Sequence, residues 1–390
     1  MPSLRVSHWR LDPSVTFLNH GSFGACPVPV IEAQREWQSV LERNPVRFFM
    51  RQLGPLLDEA RTRVAAFVGA PEGSLVFVRN ATEGANASLK SIVLSPGDEV
   101  VTTNHDYNAI RNILSYICDR AGAKLVVAAF PFPLASQDEV VSAVAGALTP
   151  RTRLLVLDHV TSPTGLVLPI EPIVAEARAR NIVTFVDGAH APGMIPLDLR
   201  SLGADFYTGN LHKWVCAPKG AAFLYVRDDR REQVLPSVIS HGYNMARPER
   251  RYLDNFEWQG TFDPSAWLSV PCAIDTMASL HPDGWVGVMR ENRALALRAR
   301  DMLAAALGIE VPAPDAMIGS LAALPLPDGK VGSLPNEDEA QLALANAHRI
   351  EVPIALWPKS PSRVLRISAQ LYNAAEDYER LAHALAQVLH

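Results

Sequence analysis

Short, almost uninterrupted apolar runs recur along this chain, and the clearest of them end on an acid: LLVLD at 154–158 and IVTFVD at 182–187. A strand buried on both faces reads as a continuous Val/Ile/Leu run, whereas a half-solvated strand alternates. Five further runs, at 75–78, 99–103, 124–129, 206–208 and 221–226, share this character. Stretches of helical period at 108–120, 137–148 and 171–180 lie between most of them. Strand–helix–strand repetition of this kind dictates an α/β fold with a mostly parallel sheet.

Two helices are expected ahead of the sheet. One opens near Pro29 and carries Ile31, Gln34, Trp37 and Leu41 at helical spacing; the other runs through Leu56, Leu57, Ala60, Val64 and Phe67 to a stop at Gly69. After Pro264 the pattern changes. Helices over 265–280 and 285–307 lead into a Pro-rich section and a β-α-β-β-α pattern, with a strand at 364–368 and a closing helix at 374–389. The expected organisation is an N-terminal arm (1–20), a large α/β domain (21–275) and a smaller C-terminal α+β domain (276–390).

Composition removes several classes of function. With 48% hydrophobic and 20% charged residues over 390 positions, the chain is of ordinary globular type. A net charge of -5 argues against a nucleic-acid or anionic-membrane partner. The basic stretches at 227–231 and 247–251 are interleaved with acids and read as solvated faces, although 243–255 could equally rim a pocket. No apolar run approaches the roughly 20 residues that cross a bilayer. The opening MPSLRVSHWRLDPSV lacks the apolar segment of a secretory signal. The four cysteines, at 26, 118, 216 and 272, form no CxxC pair and no cluster with His, so neither disulfides nor a metal is expected. A cytoplasmic protein is the expectation.

Open parallel sheets bind ligands beyond the carboxyl ends of their strands, which makes the strand-to-helix junctions the place to look for chemistry. Asp187 ends an apolar strand, and a carboxylate there needs a cation or a strong donor unless it merely caps a helix. His190 follows three residues on. Lys213 lies about one helix and one strand further along, in the Gly-containing loop TGNLHKW (208–214), so both can reach one sheet edge. Alone it would be a solvated lysine. A lysine nucleophile with a carboxylate for a pyridinium nitrogen is the minimum kit for pyridoxal phosphate chemistry. RNATEGA (79–85) follows a strand and opens a helix, so its N–H groups and the Thr82 hydroxyl can receive a phosphate, or simply cap the helix. Tyr107 follows the next strand, where an aromatic ring either stacks on a planar cofactor or packs.

With these junctions in place, the sequence resembles the class V group of fold-type I pyridoxal phosphate enzymes, the superfamily of the cysteine desulfurases, and within it the isopenicillin N epimerase-like proteins. The supporting segments are FLNHGSFGACP (17–27), NPVRFF (44–49), RNATEG (79–84), TTNHDY (102–107), DHVTSPTG (158–165), VDGAHAPG (186–193), HKWVCAPKG (212–220), WQGTFDPSAW (258–267) and LRISAQLYN (365–373). The resemblance implies that Lys213 is the Schiff-base lysine, Asp187 the ring-nitrogen partner, Tyr107 the stacking ring and His190 a neighbour of the ring's 3-oxygen. It also implies that Ala81, Thr82, Glu83 (through its backbone), Asn210 and His212 hold the phosphate. Gly260 and Thr261 would reach the phosphate of a neighbouring subunit, so a homodimer with shared active sites is expected. Arg366 would pair with the substrate carboxylate, a role that suits a guanidinium fork. Asn19, His20 and Arg47 are expected near the substrate.

The reaction is less constrained than the cofactor. Persulfide-forming desulfurases need a reactive thiol in the C-terminal domain, and no cysteine follows Cys272, which sits in an apolar helical stretch and reads as a buried structural thiol. Epimerisation at Cα is the reading that the resemblance favours, with C–S lyase and aminotransferase chemistry as alternatives. A nucleotide-binding or hydride-transfer protein lacks its phosphate motif here, since neither GxGxxG after a strand nor GxxxxGK[ST] occurs. A catalytically idle binding protein of the same fold would not need the intact Asp187, His190, Lys213 and Arg366 set.

Overall fold

The structure, a computed structural model, describes residues 5–245, 247–329 and 338–389. Seven strands form the main sheet: β1 (Leu75–Val78), β2 (Glu99–Thr103), β3 (Lys124–Ala128), β4 (Thr152–Asp158), β5 (Val183–Asp187), β6 (Phe206–Asn210) and β7 (Ala222–Val226). Their order is β1-β7-β6-β5-β4-β2-β3. Strand β7 runs antiparallel to both of its neighbours, and the other pairings between adjacent strands are parallel. Every residue of β1, β2, β6 and β7 is buried, whereas β3 at the edge leaves part of its length to solvent. This matches the unbroken apolar runs.

Helices cover both faces. α1 (Val28–Arg43) and α2 (Leu53–Val68) precede the sheet, and α2 stops where Gly69 turns left-handed at φ 64°. α3 (Ala81–Lys90) follows β1, α4 (Asn108–Ala121) follows β2, α5 (Gln137–Ala147) follows β3 and α6 (Ile170–Ala179) follows β4. Side-chain alternation along each strand divides the core. Val76, Leu154, Val156 and Phe185 pack on the face that takes Ile110, Ile113 and Leu114 of α4. Leu155, Leu157, Val186 and Tyr207 pack on the other face. Burying each such aliphatic side chain stabilises the fold by about 1.5–3 kcal/mol. Asp158 and Asp187 therefore share a face with Val156 and Phe185, one step further along their strands.

The C-terminal part departs from the expected pattern in two places. The helix expected over 265–280 is divided into Ser265–Leu268 and α7 (Val270–Ser279), with Pro271 in the first turn of the second piece. A proline lacks the N–H that would continue the ladder from the preceding helix. α8 (Gly284–Leu307) then leads to β8 (Leu321–Leu326), α9 (Glu339–His348), β9 (Ile354–Leu356), β10 (Arg363–Ser368) and α10 (Ala375–Val388). β9, β10 and β8 make an antiparallel three-stranded sheet. A two-residue strand, Ile350–Glu351, pairs instead with Thr16–Phe17 near the N-terminus. Among the described residues no helix is long and apolar enough to cross a membrane, and no group of His, Cys, Asp and Glu side chains is placed to hold a metal ion.

Candidate active site

The carboxyl ends of β2, β4, β5 and β6 open into one cavity of about 370 Å³, lined by Asp158, Asp187, His190, Lys213 and the start of α3. Asp187 is 3% exposed, and its Oδ1 accepts the Ala189 N–H at 2.9 Å. Burial pushes this carboxyl above its usual range, while the Ala189 N–H and the Lys213 charge work against that rise. The turn after it must come very close to the lysine loop. Gly193, at φ 83°, would place a Cβ only 2.6 Å from the Trp214 carbonyl carbon, so the last glycine of VDGAHAPG is required by contact as well as by conformation.

Lys213 Nζ lies 3.0 Å from His190 Nε2, and Trp214 Nε1 faces His190 Nδ1 at 3.5 Å. An indole N–H only donates, so Nδ1 accepts and Nε2 carries the ring proton. The lysine nitrogen then accepts as a free amine. Burial first, and the Arg366 charge second, bring the Lys213 amine down to about 7, with Asp187 opposing. His190 is held neutral chiefly by burial. A buried amine of this kind is both nucleophilic and able to take up a proton at neutral pH.

His20 was expected near the substrate and lies behind the lysine instead. It is fully buried, with Nε2 3.0 Å from the Lys213 carbonyl oxygen and Nδ1 2.9 Å from the Tyr372 hydroxyl. Its ring packs against Trp214 at 4.9 Å between centroids, and burial lowers it to about 3. Neutral His20 thus fixes the lysine's backbone. The N-terminal segment is drawn in tightly here: Gly24, at φ 73°, has no room for a side chain against the His212 carbonyl.

The opening turn of α3 differs in detail from expectation. Asn80 Oδ1 accepts the Glu83 N–H at 2.9 Å, and Asn210 Oδ1 accepts the Ala81 N–H at 2.9 Å. The backbone donor of Glu83 and the side-chain oxygen of Asn210 are therefore engaged inside the protein, since the first N–H groups of a helix have no partner within the helix and take capping acceptors. The Glu83 carboxylate pairs with Arg79 at 2.9 Å. Arg79, Asn80, Ala81, Thr82, Asn210 and His212 all line the cavity. His212 points Nδ1 at the Ala221 carbonyl, 3.0 Å away, and burial lowers it to about 4. As a neutral ring it offers the cavity a lone pair at Nε2, so donation from there to an anion requires a second proton.

Arg366 reaches the same cavity region from β10. It is 7% exposed, with Nη1 2.5 Å from the Ser162 carbonyl oxygen and Nη2 3.1 Å from Ser22 Oγ, while Nε has no partner. Burial lowers this guanidinium to about 10. Ser22 donates to Asn19 Oδ1 at 2.5 Å, so Asn19 bears on Arg366 through Ser22. Tyr107, the residue preceding α4, lines the cavity with 47% of its surface exposed.

Other expected residues are elsewhere in this chain. Arg47 is exposed on the short helix Pro45–Arg47, and Gly260 and Thr261 line a separate depression beside Arg79 and Glu83. Within 243–255, Arg247 and Arg250 pair with Asp254, and Arg247 lines a separate pocket with Phe49, Met50 and Trp258. Cys272 is only partly buried, against the expectation of a buried thiol, whereas Cys216 is fully buried and burial pushes its thiol up. Sequence reasoning passed over Ser22, Arg79, Asn80, Asp158 and Ser162 as site residues, although FLNHGSFG, RNATEG and DHVTSPTG contain them. Each is a common strand-end, turn or cap residue; Arg79 and Asn80 fall in the segment read as a phosphate cradle, but nothing local singles out the individual side chains.

A lysine amine, a strand-end carboxylate and an open helix start around one cavity beyond the sheet make this the fold-type I architecture of pyridoxal phosphate-dependent transferases. The chain belongs to the class-V aminotransferase family, whose profile matches residues 25–381. It is 38% identical to the isopenicillin N epimerase of Amycolatopsis lactamdurans, over 97% of this chain and 96% of that protein. It is 33% identical to putative L-cysteine desulfhydrase 1 of Oryza sativa subsp. japonica, over 99% of this chain and 86% of the relative. Among solved structures, a C-DES variant with glycine covalently linked to its pyridoxal phosphate cofactor superposes with a TM-score of 0.77 at 20% identity, covering 96% of this chain and 97% of that one.

Proposed function

We propose that this chain is a pyridoxal phosphate-dependent enzyme acting at the Cα of an amino acid or amino-acid-derived substrate, as an epimerase of the isopenicillin N epimerase kind. The observation that carries the reading is the free amine of Lys213, 3.0 Å from His190, in the same cavity as Asp187. The donor set fits the coenzyme. Asp187 is a buried carboxylate suited to a protonated ring nitrogen, Thr82 and Asn80 stand at a helix start suited to a phosphate, and Arg366 Nε is a buried donor still lacking an acceptor.

When bound, the coenzyme supplies an electron sink for the charge left at Cα when a bond there breaks. The chain's own residues then divide the remaining tasks. Asp187 holds a proton at the ring nitrogen. Lys213, with an amine near 7, removes or returns a proton at Cα from its side. Arg366 fixes the substrate carboxylate with a planar fork that Ser22 and Ser162 hold in place. Inversion needs a proton donor on the other face as well, and the Tyr107 phenol is our candidate.

Gly260, Thr261 and Arg47 lie away from this chain's own cavity, and we read them as serving the site of a second copy in a homodimer. A division into an arm (1–20), a large domain (21–275) and a small domain (276–390) belongs to the same reading, supported by α7 packing on α1 and α2 while α8 packs on α10 and β8. So does a cytoplasmic location.

C–S lyase action on a cysteine derivative is the second reading. It is favoured by the full-length likeness to a desulfhydrase and by a site in which sulfur would leave with the product, since none of the four cysteines lines the cavity. One experiment separates these reactions: incubation of coenzyme-loaded protein with amino acids and small peptides in heavy water. Solvent deuterium at Cα with inversion supports the epimerase. Pyruvate with released sulfide identifies the lyase, and a 2-oxo acid with pyridoxamine phosphate identifies an aminotransferase. Absence of all three overturns the proposal.

A further inference from the structure

The cavity holds a second carboxylate that the chemistry above leaves unused. Asp158 ends β4 and is the register partner of Asp187 at the end of β5. Register partners in a parallel sheet project from the same face, and adjacent strands lie about 4.8 Å apart, so the two carboxyl groups emerge side by side. They are 4% and 3% exposed, and both line the cavity.

The surrounding charges do not neutralise both. From the end of β2, Asp106 faces the pair, but Arg111 grips it at 2.7 and 2.8 Å and the Thr102 hydroxyl donates to it at 3.0 Å. Arg111 is thereby committed elsewhere, and its influence on Asp158 ranks below those of Asp187 and Asp106. Lys213 acts on Asp187 from the facing loop, where His190 is neutral. The Tyr207 phenol of β6 is turned to the other face of the sheet and bonds His159 at 2.9 Å. Two carboxylates that project side by side, are almost fully buried and share one partial cation oppose each other's ionisation.

We infer that Asp158 and Asp187 hold one proton between them at neutral pH, Asp158 being a positioning residue that keeps this proton beside the carboxylate assigned to the ring nitrogen. Burial and the neighbouring negative charge raise Asp158 well above the ordinary carboxylate range, in the direction this requires. The shared proton follows from the protein alone. Its effect on a ring nitrogen rests on the coenzyme reading above.

The test uses the full chain before and after loading with pyridoxal phosphate. Infrared difference spectra of the unloaded wild type at pH 7 should contain the carbonyl stretch of a protonated carboxyl group, and Asp158→Asn should lose it. A wild type without that stretch, or an Asp158→Asn protein that retains it, overturns the pair, and the wild-type spectrum decides this even if the variant fails to fold. After loading, Asp158→Asn removes a carboxylate that can ionise beside a cationic ring, so the pH-dependent change in the visible band should move to lower pH. An unmoved transition overturns the positioning role. Failure of the coenzyme reading has a different signature: the unloaded protein keeps its carboxyl stretch, yet no visible band develops.

Discussion

Lys213 Nζ and His190 Nε2 are 3.0 Å apart, and the indole N–H of Trp214 faces the opposite nitrogen of the same ring at 3.5 Å. The order of donors runs from Trp214 through His190 to the lysine lone pair. The site therefore presents a neutral amine without any acid–base partner having to ionise. That arrangement sets the first prediction. Attachment of the coenzyme to Lys213 requires the unprotonated amine, whose fraction rises with pH and is half complete at about 7. The rate of colour development should climb through this range and level off above it. Borohydride reduction followed by peptide mapping should locate the coenzyme on Lys213. A rate still climbing at the pH of an ordinary lysine, near 10, would contradict the burial argument.

Acid should unfold the protein early. Burial lowers His20 to about 3 and His105, His159 and His212 to about 4, from 6.5 in each case. Below 6.5 the unfolded chain takes up protons that the folded chain refuses, so stability is full above that pH and falls as pH drops toward 4. Each such histidine contributes a slope of up to roughly 1.4 kcal/mol per pH unit. Denaturant titrations of the unloaded protein between pH 7 and pH 4.5 measure this. His20→Gln should flatten the slope by about one proton's share.

Arg366→Lys retains a positive charge but loses the planar fork held by Ser22 and Ser162. Substrate carboxylate binding should weaken by roughly 10- to 100-fold in KM, with a smaller fall in kcat. Steady-state kinetics on whichever substrate the heavy-water screen identifies supplies the check, with unchanged coenzyme absorbance as the control for folding.

Tyr107→Phe removes a phenol that lines the cavity yet is 47% exposed. Inversion should disappear, while deuterium exchange at Cα from one enantiomer stays within about threefold of the wild type, since Lys213 still serves its own side. Equal loss of both activities would reduce Tyr107 to a stacking role.

A methyl group at Gly84 would collide with the Thr208 hydroxyl, across the contact that holds the first turn of α3 against β6. Gly84→Ala should push that turn away from the sheet and weaken coenzyme retention at least about tenfold, without touching Asp187 or Lys213. Combining it with Thr208→Ala, which clears the space, should restore part of the affinity. Titration of apoprotein with pyridoxal phosphate, followed by visible absorbance, measures both variants.

The seven strands and the four helices that follow β1 to β4 were legible in the amino-acid order, and so were the junctions that carry Asp187, His190 and Lys213. Burial on two faces writes an apolar run into a handful of consecutive residues, and a strand-end acid is local to that run. Partnership is a different matter. In sequence Asp158 ends a strand in the same manner as Asp187, and only their register, with β4 beside β5, makes them a pair. His20 and Tyr372 meet across 352 residues, and Arg366 reaches Ser162 across 204. Glu83 looks like a phosphate ligand in the linear order, yet the folded helix start engages its backbone donor for itself, whereas Asn210 gives only its side-chain oxygen to that helix start and still lines the cavity. Periodicity and strand ends are decided within one element. Which side chain faces a ligand and which stands behind it is decided by where distant segments pack, because hydrogen bonds and desolvation depend on every group within a few ångströms, whatever its distance along the chain.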